Sequence, residues 1–272
     1  MESLNLKGAT IPKLGPGTYR LNGPSAIRLI GEAIDTGYTH LDTAQMYDNE
    51  SEVGKAISES GKKREELWVT TKVWYSELSR KRFLPSVRKS LEKLKLSQVD
   101  LLLIHWPSPE ISVEEATEGL LEAQQLGLSR YIGVSNFPSD LVLISIAQGA
   151  DLLTNQVEYH PFLSQNALME TLRQHEISLT AYRPIAKGRV NEDPTIASIA
   201  RKHGKTGVQV ALRWLVQQEG VITIPKTSQV DRLKENAAIF DFHLDQEEMS
   251  QLNALTLANQ RFIDPEWGPK WD

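Results

Sequence analysis

The sequence predicts a (β/α)8 TIM barrel of the α/β class, with an N-terminal β-hairpin and one or two extra helices. Three features carry that expectation. Short β-rich runs alternate with amphipathic helical segments; the runs are nearly all apolar, as strands are when both faces are covered; and no linker rich in Pro, Gly or Ser interrupts the series. At 272 residues, a length prior suggests about two domains of ~150 residues. Barrels of this type run to ~250 residues as one domain, so residues 1–272 are read as a single barrel domain.

Residues 3–13 alternate apolar and polar around Lys7-Gly8-Ala9, the pattern of a short hairpin. Gly15-Pro16-Gly17-Thr18-Tyr19 reads as a first strand with little side chain at its end. Further strands are predicted at His40–Thr43, Trp68–Val73, Val99–His105, Arg130–Asn136, Thr154–Tyr159, Ser178–Tyr182 and Val221–Lys226, which makes eight. Between 81 and 95, Leu84, Val87, Leu91 and Leu94 recur at helical spacing, with Lys and Arg between them. A helix over 114–126 opens on Ser112-Val113-Glu114-Glu115, a capping-box order, and ends at Gly127. Helical patterns also cover 24–36, 50–60, 138–148, 164–176 and 229–239, and the interval 183–220 holds two, at 194–203 and 206–218. The tail 256–272, with Trp267 and Trp271, is aperiodic and is expected to lie across one barrel mouth.

Composition narrows the function. Hydrophobic content of 40% and charged content of 24% are ordinary for a globular protein. A net charge of -5 without a basic stretch argues against a nucleic-acid partner. The absence of cysteine excludes disulfides, thiolate metal sites and cysteine nucleophiles. Met1–Lys7 lacks a signal peptide's apolar core and no apolar run approaches ~18 residues, so a cytoplasmic protein without membrane contact is expected. The six histidines (His40, His105, His160, His175, His203 and His243) are scattered, with no His-x-His at a strand end. That counts against a metal-dependent hydrolase, and no metal site is predicted.

Polar residues at the C-terminal ends of barrel strands converge on one mouth. This chain places one at nearly every such end: Asp42, Lys72, His105, Ser135 and Asn136, Gln156 and Glu158, Tyr182, and Lys226. A lone buried lysine or histidine is as readily a paired core residue as a functional one. Four titratable groups facing one mouth from successive βα units are harder to read that way. An apolar strand does not end repeatedly in groups costly to bury unless they pair or work. Tyr47, five residues beyond Asp42 in the ensuing loop, converges on the same spot.

The stretches Leu14-Gly15-x-Gly17-Thr18, Leu41-Asp42-Thr43-Ala44-x-x-Tyr47-x-Asn49-Glu50, Thr71-Lys72, Leu103-Ile104-His105-Trp106-Pro107, Ile132-Gly133-Val134-Ser135-Asn136, Asn155-Gln156-Val157-Glu158 and Ile224-Pro225-Lys226-Thr227 follow one another in that order. Together they resemble the aldo-keto reductase family over essentially the whole chain. The resemblance implies a (β/α)8 barrel, a nicotinamide cofactor bound extended across the mouth, a small-molecule carbonyl substrate and a monomer. It also implies a catalytic tetrad, which by position is Asp42, Tyr47, Lys72 and His105. Some relatives serve instead as cofactor-binding regulatory subunits without turnover. The intact tetrad, and the lack of an obvious partner-binding extension, argue against that role.

The chemistry of such a tetrad is readable from its residue types. Carbonyl reduction needs a hydride on carbon and a proton on oxygen. A phenol with an ordinary pKa near ~10 is a poor acid at neutral pH, and a neighbouring cation makes it a better one. Lys72 supplies that charge, Asp42 holds the lysine ionised, and His105 polarises the carbonyl oxygen by hydrogen bonding.

No Rossmann fingerprint is present, because Gly15-Pro16-Gly17-Thr18-Tyr19-Arg20 lacks a third glycine and an immediate helix. The resemblance instead assigns the nicotinamide carboxamide to Ser135, Asn136 and Gln156, with Tyr182 stacked on the ring. It sets Gly17, Thr18, Pro184 and Ile185 along the cofactor. The family's Lys-Ser-x-x-x-x-Arg-x-x-x-Asn pattern appears from Lys226-Thr227 through Arg232 and Glu235 to Asn236. Lys226 and Arg232 suit a 2'-phosphate, which favours NADPH, and Glu235 and Asn236 would face the adenine. Asp231 dilutes that positive charge. The turn after the seventh strand departs from the usual Ser-Pro-Leu, since Arg183 replaces a small residue. Tyr19, Trp74 and Trp106 fall where the family builds its substrate pocket and suggest an aromatic-walled slot, left open by a short final segment. A finer match, through Ile104–Pro109, Thr43–Glu50 and Asp264–Asp272, resembles the bacterial 2,5-diketo-D-gluconate reductases. It implies diketo sugar acids or small ketoaldehydes such as methylglyoxal as substrates.

Overall fold

The hairpin forms where the alternation predicts it: β1 (Ser3–Leu6) pairs antiparallel with β2 (Ala9–Pro12). The chain reverses through Lys7 and Gly8 at φ 47° and 77°, a left-handed pair that matches the twist of a tight hairpin. A computed structural model describes residues 1–272. Seven parallel strands follow in one sheet in sequence order: β3 (His40–Asp42), β4 (Trp68–Val73), β5 (Val99–Ile104), β6 (Ser129–Ser135), β7 (Leu152–Glu158), β8 (Ser178–Tyr182) and β9 (Val221–Thr223). Helix α1 (Gly23–Asp35) precedes β3, and α2 (Glu50–Glu59), α3 (Phe83–Leu94), α4 (Val113–Gln125), α5 (Ser139–Ala147) and α6 (Asn166–Gln174) follow β3 to β7 in turn. After β8 come α7 (Pro194–His203) and α8 (Gly207–Gln217), and after β9 come α9 (Val230–Ala237) and α10 (Gln246–Leu255). No helix is long and apolar enough to cross a membrane.

The expected first strand, residues 15–19, is not a ladder strand. Pro16 has no amide hydrogen to donate, so a regular ladder breaks there. The segment nevertheless fills the eighth position. Gly15 N donates to Thr223 O at 3.1 Å and Gly17 N to Pro225 O at 3.0 Å on one side, while Thr18 N donates to Asp42 O at 3.0 Å on the other. Gly15 is there because the chain runs against β3: a Cβ on it would meet His40 Cγ at 2.8 Å. For the same reason β9 ends at Thr223, short of the predicted Lys226, where its neighbour stops being regular.

Helix α10 was not expected from periodicity. Its start has a local signal all the same, since Asp245 accepts from Glu248 N at 2.9 Å and Glu248 accepts from Asp245 N at 2.8 Å. With α7, whose N-cap Asp193 precedes a proline at the first helical position, it makes the two helices beyond the repeat.

Strand parity aims the site. In β5, Leu101 and Leu103 point inward and pack with Trp68, Leu153, Ile222 and the hairpin's Ala9 and Ile11. Val99, Leu102 and Ile104 face the helices in the larger core. His105 shares the inward parity and emerges at the mouth. In β4 the same alternation sends Trp68 and Lys72 inward and Val69 and Val73 outward; in β3 it sends Leu41 outward and Asp42 inward. The hairpin plugs the opposite end of the barrel.

Packing of the helical ring depends on close approach at Gly54 of α2, where a Cβ would lie 2.5 Å from Leu94 O. Gly54→Ala is expected to lower stability by about 2 kcal/mol, since overpacking against backbone has no side chain that can yield. Thermal unfolding would register this as a fall in Tm of roughly 5 °C.

Candidate active site

At the mouth the Lys72 side chain is completely buried, and its three donors are all used. Nζ donates to Asp42 Oδ1 at 2.6 Å, to Thr43 O at 2.8 Å and to the Tyr47 hydroxyl at 3.3 Å. The other carboxylate oxygen of Asp42 accepts from Gln156 Nε2 at 2.8 Å. Burial lowers the lysine's pKa and the adjacent Asp42 carboxylate opposes that fall. An ion pair with both members dehydrated is a poor way to add stability, so its presence here calls for a chemical reason.

Tyr47 reaches the pair from the 3-10 turn Gln45–Tyr47, which closes at Asp48 in the left-handed region. Asn49 anchors this loop: its Nδ2 donates to the Thr18 and Leu21 carbonyls, each at 2.8 Å, and its Oδ1 accepts from Thr43 Oγ1 at 2.8 Å. The Tyr47 ring lies 5.1 Å from that of Tyr19 and 5.5 Å from that of His105. Its acidity differs from the sequence expectation. Burial, then the negative charge of Asp42, then Tyr19 raise its pKa well above the ordinary value. The physical reason is first the burial of the phenol, and second that Asp42, at 2.6 Å from the ammonium, offsets charge that was expected to acidify it. Tyr47 therefore keeps its proton in the resting site.

His105 is neutral. Burial, reinforced by the Lys72 charge, takes its pKa well below the ordinary histidine value. Its Nδ1 is buried without a partner, which leaves Nε2 as the nitrogen that reaches the cleft. Assigning the ring proton to Nε2 leaves an acceptor, not a donor, unpaired inside. The ring is held edge-on to Trp74, with centroids 5.0 Å apart.

Beside these groups Ser135, Asn136, Gln156 and Tyr182 form one network. Ser135 Oγ donates to Gln156 O at 2.7 Å and accepts from Asn136 Nδ2 at 3.0 Å, and the Tyr182 hydroxyl donates to Asn136 Oδ1 at 2.7 Å. Asn136 adopts φ 62°, the left-handed conformation that asparagine tolerates better than most residues, and so turns its amide into the mouth.

All of this borders a cleft of about 520 Å³. Tyr19, Trp74 and Trp106, predicted for the substrate pocket, line it, as do Gly17, Asn136, Gln156, Tyr182, Pro184, Ile185 and Lys226 from the predicted cofactor set. Ser135 sits one layer behind, fully buried. Thr18 is also buried, with its hydroxyl turned to Asp42 O at 3.0 Å. Thr227, Arg232, Glu235 and Asn236 lie beyond the cleft's lining. There, Thr227 Oγ1 accepts from Gln229 N at 3.1 Å and Glu235 accepts from Thr206 Oγ1 at 2.7 Å. The structure adds groups that sequence reasoning gave no role in the cleft: Arg20, Met46, Ile263 and Pro265; Lys187, expected only to offer its backbone amide to a pyrophosphate, lines it as well. Arg183, noted only as a departure, lines it too. Asp42 is the one carboxylate in the lining, against Arg20, Arg183, Lys187 and Lys226, apart from the buried Lys72. The tail does cross the mouth, as expected: Trp267 lies 5.3 Å from Trp106 and 4.6 Å from Tyr75 by ring centroid.

Comparison with known proteins agrees with this geometry. Residues 13–256 match the model of the aldo/keto reductase family. The chain is 44% identical over 268 residues to a protein of Salmonella typhi named methylglyoxal reductase DkgB, covering 97% of this chain and 100% of that one. It is 40% identical over 251 residues to the glyoxal reductase of Bacillus subtilis, covering 91% and 90% of the two chains. A crystal structure provisionally assigned as a 2,5-diketo-D-gluconic acid reductase B superposes with a TM-score of 0.97 at 44% identity, over 100% of this chain and 98% of that one. An aldo-keto reductase of Bombyx mori solved in complex with NADP gives 0.89 at 34% identity, over 96% and 94%.

The neutral His105 has a consequence for stability against pH. Below about 6.5 the unfolded chain protonates this ring while the folded one does not, so stability is present above that pH and is lost as pH falls. His40, whose pKa burial also lowers, acts in the same direction. Denaturant titrations of His105→Gln between pH ~6.5 and ~5 should show a shallower loss of unfolding free energy, by up to about 1.4 kcal/mol per pH unit. An unaltered slope would mean that the folded site carries an imidazolium.

Proposed function

The chain belongs to the aldo/keto reductase family, and from that premise we propose that it reduces the carbonyl of a small aldehyde or ketone to an alcohol with NADPH. One observation carries the reading: an ammonium, Lys72 Nζ, shared between Asp42 at 2.6 Å and the Tyr47 hydroxyl at 3.3 Å, next to a neutral His105, beneath an aromatic-walled cleft.

The residues present fit a nicotinamide dinucleotide. Arg20, Arg183, Lys187 and Lys226 line the cleft against a single carboxylate that is already paired, which suits a polyanion. Gly17 leaves room beside Ile224 O, which a Cβ would approach to 3.0 Å. Asn136 and Gln156 would hold the carboxamide, with Ser135 orienting Asn136, and Tyr182 would face the ring. Lys226 and Arg232 would meet the 2'-phosphate, with Glu235 and Asn236 toward the adenine. The chemistry that such a cofactor supplies when bound is a hydride for the carbonyl carbon.

The protein's own part is to place the carbonyl and deliver the proton. Tyr19, Trp74 and Trp106 exclude water from one side of it. His105 Nε2–H donates a hydrogen bond to the carbonyl oxygen and polarises it. As negative charge develops on that oxygen, its basicity rises toward that of an alkoxide, whose conjugate acid is about as weak as water and weaker than a phenol. Tyr47 then releases its proton to the oxygen, even with a raised pKa. The phenolate left behind meets the Lys72 ammonium, whose hydrogen bond strengthens as the charge appears. A retained proton in the resting site is an advantage, because the acid is loaded before each turnover. The names of the relatives favour 2,5-diketo-D-gluconate or a small ketoaldehyde such as methylglyoxal as substrate.

Loss of NADPH absorbance with a panel of aldehydes and ketones tests the reading. Tyr47→Phe should lower kcat by roughly 10² to 10⁴-fold while the Kd for NADPH stays within about twofold, and wild-type turnover in this variant would refute the assignment. Steady-state kinetics should favour NADPH over NADH; a preference for NADH of ~10-fold or more, about 1.4 kcal/mol, would overturn the cofactor choice.

A further inference from the structure

Glu158, at the end of β7, is a fully buried carboxylate that the proton and hydride chemistry leaves unused. Oε1 accepts from Phe262 N at 2.9 Å and from His160 Nε2 at 3.1 Å, and Oε2 accepts from Ile263 N at 2.8 Å. His160 Nδ1 in turn accepts from Phe162 N at 3.2 Å, so the ring proton sits on Nε2 and is the one given to Glu158. Burial pushes the carboxyl's pKa up, but the hydrogen bonds from His160 and the two backbone amides outweigh it and hold the group ionised. Gln165 Nε2 donates to the Glu158 carbonyl at 2.7 Å, which fixes the strand end beneath.

Both amides belong to the tail that crosses the mouth. Two consecutive N–H groups bound to one carboxylate fix the direction of the chain as well as its position. From there the tail delivers Ile263, Pro265 and Trp267 to the cleft. Its other side-chain hydrogen bonds are exposed: Trp271 Nε1 to Asp264 Oδ1 at 2.8 Å, Arg189 to Gln260 Oε1, and the Asp272 carboxylate to Ser139 N at 3.1 Å and Oγ at 3.0 Å; the Phe262 ring adds apolar packing on the core, 5.3 Å from the His160 ring. Exposed bonds compete with water and hold little. Glu158 is thus the buried anchor of the wall that faces Trp74 and Trp106.

We propose that Glu158 is a positioning residue for substrate selectivity: by holding the Phe262 and Ile263 amides it sets where Ile263, Pro265 and Trp267 stand, and thereby which carbonyl compounds reach Tyr47. The proposal rests on the reductase reading above. Glu158→Gln keeps the volume but turns an NH₂ toward one of the donors, breaking half of the clamp.

The test is a double-mutant cycle on the full chain with Glu158→Gln, Trp267→Ala and both together, using methylglyoxal and a bulkier aromatic aldehyde. In Glu158→Gln the ratio of the two KM values should change by at least ~5-fold, with kcat within about threefold and the Kd for NADPH, read by fluorescence, within about twofold. The amides of residues 262 and 263 should exchange hydrogen at least ~10-fold faster. The double variant should show about the same KM ratio as Trp267→Ala alone, because both changes act through one wall. Additive effects, an unmoved KM ratio, or kcat and NADPH affinity falling together would overturn the proposal. Should Glu158→Gln not fold, Phe262→Pro removes one amide from the other side of the clamp without altering a lining side chain; the same kinetic expectations apply, with hydrogen exchange read at residue 263 alone. A wild-type chain inert toward both compounds sinks the reductase reading itself, whereas an active one with an unmoved ratio in the variant sinks the clamp alone.

Discussion

A lysine with no exposure to water must have its charge met where it stands, and that requirement organises the mouth of this barrel. Lys72 is satisfied by Asp42, the Thr43 carbonyl and the Tyr47 hydroxyl, all delivered by β3 and the loop after it. Asp42 is satisfied in turn by Gln156 from the far side of the barrel. Neither charge can be moved without leaving the other stranded in a low dielectric, so four elements are locked into one geometry. Closure of the barrel serves the same lock. The irregular segment 13–18 bonds to β9 on one edge and to the backbone of Asp42 on the other, so the loop bearing Tyr19 sits next to the loop bearing Tyr47.

The electrostatics of the site are set more by what is excluded than by what is charged. Burial keeps Tyr47 protonated and His105 neutral, and both are states that donate a hydrogen bond to an oxygen. The fixed ammonium gains most when charge arrives on the tyrosine oxygen. In the proposed reduction this is stabilisation reserved for the reacting state, which would accelerate the reaction where uniform binding would not.

The walls around that centre come from two sources. Tyr19, Trp74 and Trp106 follow barrel elements, and the Gln45 side chain accepts from the Trp74 amide at 3.0 Å, tying one wall to the loop that carries Tyr47. The remaining wall is borrowed from the tail, whose rings continue the aromatic surface through Trp267 to Trp106. The loop after β8 borders the cleft from another side. Its left-handed residues Arg183, Ala186, Lys187 and Gly188 turn the chain sharply, where the sequence showed only that Arg183 replaced a small residue.

How much of this was legible in the chain divides along a physical line. Lys72 and His105 stand at the C-terminal ends of apolar runs, so their place at the mouth is readable from the chain, while the inward parity they share with Trp68, Leu101 and Leu103 is seen only in the folded strands. The order of the short motifs identified the family; alternation and helical spacing gave the hairpin and most of the strands and helices; and the four residues assigned to a tetrad do come together at the mouth. The first strand failed because a ladder depends on what the neighbouring chains offer, and Pro16 withdraws a donor that composition alone did not weigh. Helix α10 failed because its capping box heads a segment too polar to show a clear apolar stripe. Beyond those, the sequence by itself determined which chemical groups stand at which strand ends, since side-chain type and strand period are properties of the chain. Only the tertiary structure decided how those groups share charge and burial: that burial, with Asp42 beside the ammonium, keeps the Tyr47 proton in place, and that Glu158 spends its charge on the tail. Such outcomes depend on distances between residues far apart in sequence, and on how much water is kept from them, neither of which a one-dimensional pattern contains.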